Sequence, residues 1–270
     1  MTICIGAICN GGKHIVIATD RMFTSPAPVS LEFETDEPKI EVFADGIVVL
    51  SAGNTAYVSE MLDLAKTKLK GNNRPSVDEV TTALREAFEK VRVQKAEEQI
   101  VIPMLGNDFM AFRNRGGTLP AYLQAQPGVY QNLVAMATQF NIGVELLVAG
   151  IDESGAHLAA IGNPGTSASL DKVGFGAVGS GAIHAITTLE LSGQSRSRSM
   201  METLYVVYQA KEASQVAPGV GKETDLAVIN ADRTIKKCEP GILEALEQIR
   251  AADRKRVLPN LETVKKAYGA

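Results

Sequence analysis

Thr2-Ile3-Cys4-Ile5-Gly6-Ala7-Ile8-Cys9, then Asn10-Gly11-Gly12, then His14-Ile15-Val16-Ile17-Ala18-Thr19-Asp20 is two apolar runs around a turn. Asn and Gly tolerate positive φ, so the middle triplet reads as a tight reversal. Lys39-Ile40-Glu41-Val42-Phe43 and Ile47-Val48-Val49-Leu50-Ser51 repeat the pattern around Asp45-Gly46. Two consecutive apolar hairpins predict antiparallel sheet rather than a strand–helix–strand unit. Between them, residues 22–38 hold three prolines and several hydroxyl residues and read as an irregular connection.

Beyond Gly53 the period changes. Val58, Met61, Leu62, Ala65 and Leu69 recur at helical spacing. Gly71-Asn72-Asn73 ends that helix, and Ser76 with Glu79 forms a capping box for the next. Its buried face is expected to be Val77, Val80, Leu84, Ala87, Phe88 and Val91, with a solvated charged face opposite. Residues 103–141, rich in Gly and Pro, read as an insertion with one or two short helices, serving packing more than a lid. Strands are expected at Val144–Ala149, His157–Ile161 and Val173–Val178. Helices follow at Ala182–Leu191 and Met200–Ser214, then a hairpin of Leu226–Ile229 with Thr234–Lys236. Residues 241–270 read as a C-terminal helical extension, with an amphipathic helix over Ile242–Val257 and an arm beyond Pro259. Antiparallel strands alternating with helix pairs predict an α+β fold. Its expected form is a four-layer αββα sandwich, two antiparallel sheets flanked by helices, over residues 1–240.

Composition narrows the function. The 270 residues carry a net charge of −4, which argues against nucleic acid as a partner. No apolar run approaches the ~20 residues of a membrane span, and the start lacks the basic and long apolar regions of a signal peptide. Cys4, Cys9 and Cys238 show neither metal-ligand nor disulfide spacing, so the residues ask for no metal or cofactor, and a reduced, cytoplasmic setting is expected. Cys4 and Cys9 fall in apolar strands and read as buried thiols. His14, His157 and His184 are scattered, which weakens a zinc or Ser-His-Asp reading.

One constellation carries chemistry. Removing Met1 would give Thr2 both a hydroxyl and a free α-amine, a nucleophile with its own base. Asp20 and Lys39 are costly charges at the ends of apolar strand patterns and are expected to pair beside Thr2. Taken singly, each residue has an ordinary reading: a turn aspartate, a surface lysine, a helix-entry glycine at Gly53, an N-cap serine at Ser180. Their joint order gives the functional one.

These stretches, with Leu146-Leu147-Val148-Ala149-Gly150-Ile151-Asp152 and Ala177-Val178-Gly179-Ser180-Gly181, resemble the N-terminal nucleophile hydrolases, specifically a divergent prokaryotic proteasome-like protein. The resemblance covers about residues 2–102 and 143–230. It implies that Thr2 attacks a carbonyl with its own amine as base. Lys39 would lower the pKa of that amine, Asp20 would orient Lys39, and the Gly53 amide would serve the oxyanion. Ser180 would orient the amine, and Ser51 would border the substrate pocket. It also implies a homo-oligomer, a peptide or protein substrate and room for an unfoldase partner. The chemistry would be amide hydrolysis, with acyl transfer to an amine open to the same nucleophile. Two features depart from the pattern. Ala217 and Val220 fall where the family has an aspartate and a serine, and the gap from Thr2 to Asp20 is long, which the Asn10-Gly11-Gly12 turn would absorb. A catalytically silent, ring- or dimer-forming scaffold is therefore the alternative, and a small-molecule amidase a third reading.

Overall fold

Strand β1 (Ile3–Cys9) and strand β2 (His14–Asp20) pair antiparallel across the Asn10–Gly12 turn, with Cys4 opposite Thr19 and Cys9 opposite His14. All three turn residues adopt positive φ, as a reversal this tight requires. The chain is described by a computed structural model over residues 2–24, 32–35, 39–105 and 128–256. Pro38, the middle of the 103–141 insertion and the arm beyond Pro259 lie outside the described residues.

β1 also pairs with β10 (Phe175–Gly179), and β2 with β11 (Thr224–Asn230), which carries β12 (Ile235–Lys237). This gives a first five-stranded sheet in the order β10-β1-β2-β11-β12. The second runs β5 (Ile40–Ala44), β6 (Ile47–Gly53), β7 (Val144–Asp152), β8 (Gly155–Gly162), β9 (Thr166–Ser169). Every pairing is antiparallel, and the fold is α+β. The 22–38 stretch differs from its expected irregularity. Strand β3 (Met22–Thr24) pairs with β4 (Glu32–Glu34), and the opposed Phe23 and Phe33 stack with ring centroids 6.5 Å apart. A cross-strand aromatic pair stabilises so short a ribbon, and the prolines masked that signal in the sequence.

The strands lack strict alternation because both of their faces are buried. Cys4, Ile8, Ile15 and Ile17 of the first sheet meet Val48, Leu50, Leu147 and Ala149 of the second in one cluster. The opposite face of β1, with Ile3, Ile5 and Ala7, packs on α5 (Ala182–Leu191) and α6 (Met200–Ser214) through Ala185, Leu189, Leu204 and Val207. The outer face of the second sheet, with Ile47, Val49, Leu146 and Val148, packs on α1 (Thr55–Lys68) and α2 (Val77–Ala96). The six α2 residues expected inside are all buried, and Ser76 and Glu79 make both bonds of the capping box.

The insertion, preceded by a single π-helical turn over Glu97–Val101, opens in the short α3 (Ile102–Leu105). It closes with α4 (Val129–Gln139), whose Leu133 is fully buried. Arg92 of α2 donates to the Ala137 carbonyl, so the described ends of the insertion pack on the helical layer. The last helix, α7 (Pro240–Arg256), docks on α6. Leu246 is buried in that cluster, and Tyr208 donates to Glu247 at 3.0 Å and Tyr205 to Asp253 at 2.6 Å. No helix among the described residues is long and apolar enough to cross a membrane.

Candidate active site

The ends of five strands converge on Thr2. It directly precedes β1, where Ile3 pairs with Gly179 at the end of β10. Asp20 ends β2, and Lys39 directly precedes Ile40 of β5, which pairs with Leu50 of β6, three residues before Gly53. Register within each sheet and the packing of the two sheets on each other therefore bring together residues far apart in the chain.

Thr2 is 2% exposed. Its Oγ donates to Asp20 Oδ1 and accepts from Lys39 Nζ. Lys39 Nζ also donates to Asp20 Oδ1 at 2.8 Å and to the Met22 carbonyl, and lies 5.2 Å from the centre of the Phe23 ring. All three of its N–H groups are thus engaged. Asp20 has a fully buried side chain and takes two backbone donors besides, Ile3 N at 3.3 Å on Oδ1 and Gly221 N at 2.7 Å on Oδ2. Removing an aspartate and a lysine from water costs several kcal/mol per charge, and this density of hydrogen bonds is what offsets it. The expected Asp20–Lys39 pair beside Thr2 is present.

The hydroxyl proton faces one carboxylate oxygen and one lone pair faces the ammonium, and Thr2 borders two clefts. A cleft of about 140 Å³ runs past Met22, Phe23, Lys39, Ser51, Val58 and Leu62. A second, of about 280 Å³, runs past Asn141, Glu145, Asn163 and Ser180. Thr2 and Gly53 line both. Ser51 borders the first cleft. Ser180 borders the second, and its hydroxyl faces the carbonyls of Thr2 at 3.4 Å and Pro218 at 3.3 Å, so its bond to Thr2 is to the backbone oxygen.

Gly53 is held at φ +107, and a Cβ placed there would fall 1.8 Å from the Gly143 carbonyl oxygen. Gly53→Ala is therefore expected to destabilise the fold by about 2–4 kcal/mol, combining backbone strain with overpacking. A urea titration followed by circular dichroism checks this, and an unchanged midpoint would contradict it.

Three participants escaped the sequence reading. The Gly221 amide and the Met22 carbonyl are backbone groups, which no residue type announces. Glu145, whose carboxylate accepts from Gly179 N at 2.6 Å, had a signal: it is the one charge inside the apolar run from Val144 to Ile151.

Other reactive groups do not compete. Cys4 lies next to the site with its thiol directed at the Ser51 carbonyl at 3.3 Å, and burial pushes that thiol far above the ordinary range, so it carries no thiolate. His157 sits 2.8 Å from Ser154 Oγ and 2.8 Å from Asp171 Oδ2, a Ser-His-Asp geometry that the scattered histidines did not suggest. Ser154, however, gives its single proton to Asp152 Oδ1 at 2.6 Å, and Asp171 also takes the Leu158 amide, so the group ties the β7–β8 turn. Among the described residues, no cluster of three His, Cys, Asp or Glu side chains is placed to hold a metal ion.

No protein-family model matches the chain, and no curated protein matches it.

Proposed function

We propose that the protein is a threonine-type amide-bond hydrolase of the N-terminal nucleophile class, proteasome-like in chemistry, with Thr2 as nucleophile once Met1 is removed. The observation that carries this reading is the Thr2 hydroxyl held between Lys39 and Asp20 at the junction of two clefts. The inferred architecture is the four-layer αββα sandwich. It is supported by the cluster between the two sheets and by helix clusters against the outer face of each.

In this reading the substrate lies across Thr2 from one cleft to the other. Thr2 Oγ, its proton turned from Asp20 Oδ1 to the freed α-amine, attacks the amide carbonyl carbon as the amine takes that proton. The oxyanion takes the Gly53 amide, a donor worth about 3 kcal/mol in such sites. The α-amine then delivers the proton to the leaving nitrogen, the C–N bond breaks, and an ester remains on Thr2. Water repeats the sequence and frees the acid. Lys39, through its positive charge, favours the unprotonated amine near neutral pH. Asp20 fixes Lys39.

One observation favours a silent scaffold instead. Ala217 and Val220, at positions where the resembled family is polar, are buried apolar residues, and Val220 packs beside Gly181 in the cluster that contains Ile3.

The two readings separate on the intact mass of the purified native chain, before and after incubation with a peptide epoxyketone. That warhead needs both the hydroxyl and the free α-amine of an N-terminal threonine. The hydrolase predicts a chain lacking Met1 that gains one equivalent of the probe. A chain retaining Met1, or a processed chain that never gains mass, leaves the scaffold.

A further inference from the structure

Lys211 is a buried cation that this chemistry does not use. It lies on α6 in the series Leu204, Val207, Tyr208, Lys211, an i, i+3, i+4, i+7 stripe that faces the core, and its side chain is fully buried. Burial pushes its ammonium below the ordinary lysine range, opposed by Glu212 and, more weakly, by Asp20 and Glu34. A hydrophobic side chain would fill the site at lower desolvation cost. What the ammonium does instead is hold the backbone. Nζ donates to the Lys222 carbonyl, where Gln215 supplies a second donor at 3.4 Å. Glu212, 3.4 Å from Nζ, is itself fixed by Arg250 of α7 at 3.0 Å.

The segment so held is the one that meets Asp20. The Gly221 amide donates to Asp20 Oδ2 at 2.7 Å, and the Lys222 and Glu223 amides both donate to Glu34 Oε1. Gly221 has no slack: a Cβ there would come within 2.4 Å of Glu34 Oε1 and 3.1 Å of the Met22 Cβ. Lys211 on one side and Glu34 on the other thus clamp residues 221–223 against the end of β2.

We propose that Lys211 is a positioning residue for Asp20: by holding the Lys222 carbonyl it fixes the Gly221 amide on one carboxylate oxygen, so that the other, which also takes the Ile3 amide, orients both Thr2 and Lys39. The inference rests on the hydrolase reading and extends it to a residue that touches neither the nucleophile nor the clefts. Displacements of about 1 Å at an oriented nucleophile cost on the order of a hundredfold in rate.

The test compares the full-length wild type with Lys211→Met by epoxyketone labelling, separating kinact from KI, alongside hydrogen exchange at the Gly221 amide. The expected result is kinact reduced about tenfold or more, KI unchanged, and faster exchange at Gly221. A purely structural role would lower stability or disturb both constants together. Wild-type labelling with an unchanged kinact in Lys211→Met overturns this inference and leaves the hydrolase reading standing. A wild type that never labels overturns that reading and this inference with it. If Lys211→Met does not fold, Glu34→Leu releases the same segment from the exposed side, and an unchanged kinact there also overturns the proposal.

Discussion

Replacing Thr2 with alanine is expected to abolish epoxyketone labelling and any amide turnover while leaving the fold in place. The nucleophilic oxygen is the atom removed, and loss of such a nucleophile typically costs on the order of 10⁶ in rate. Structural loss is small by comparison. The methyl and hydroxyl leave, but Lys39 and Asp20 keep their 2.8 Å contact, and Asp20 keeps both backbone donors. Two hydrogen bonds to charged groups are lost, one to Asp20 and one from Lys39, at a cost of about 1.5–3 kcal/mol each, which stays below the ~8 kcal/mol that a 10⁶-fold rate loss represents. Alanine is as small as threonine for removal of a preceding methionine, so processing is unaffected and the comparison isolates the hydroxyl. Intact mass gives labelling and processing in one measurement, and thermal unfolding gives stability. Continued labelling of Thr2→Ala at the wild-type rate would place the nucleophile elsewhere.

How far the sequence leads to this site depends on the kind of group. Thr2, Asp20 and Lys39 are legible because each is a polar residue at the edge of an apolar strand, where burial is affordable only with a partner. The two initial hairpins were legible from their turns. Helices α5 and α6 were legible as helical runs, and both have the expected bounds of Ala182–Leu191 and Met200–Ser214. The order of strands in each sheet was not. β2 pairs with β11 across some two hundred residues, and nothing local to Ile15–Asp20 selects Thr224–Asn230 over another apolar strand. The same limit hides the Gly221 amide, which reaches Asp20 only because β11 lies beside β2. β9 was missed because all four of its residues, Thr166–Ser169, are exposed and lack the apolar signature of a strand. Lys211 lay open to a stricter reading: a charge on the apolar stripe of a helix must be neutralised or bonded inside, and its heptad position points to the core.

The buried pair sets the largest stability effect. Asp20→Ala is expected to destabilise the protein by about 3–5 kcal/mol, because it leaves the Lys39 ammonium buried and unpaired. The structure gives little relief. Lys39 has a side chain only 5% exposed, and of its three acceptors only the Met22 carbonyl and the Thr2 hydroxyl would remain. Gly221 and Ile3 would each keep a backbone N–H without its acceptor. Lys39→Met alone is expected to cost a similar amount, since it leaves the carboxylate buried with the hydroxyl and two amides but no cation. The double variant Asp20→Ala/Lys39→Met removes both charges. It is expected to recover at least about 2 kcal/mol relative to the sum of the singles, because an apolar replacement of a buried ion pair is often neutral. It should nonetheless be inert toward the epoxyketone, with the Thr2 hydroxyl unoriented. Urea unfolding of the four proteins gives the cycle. Strict additivity would mean that the two charges do not sense each other in solution, contrary to their 2.8 Å contact. Recovery of stability without recovery of labelling separates the two roles of the pair: its charges cost folding free energy, and what they supply in return is the orientation of one hydroxyl.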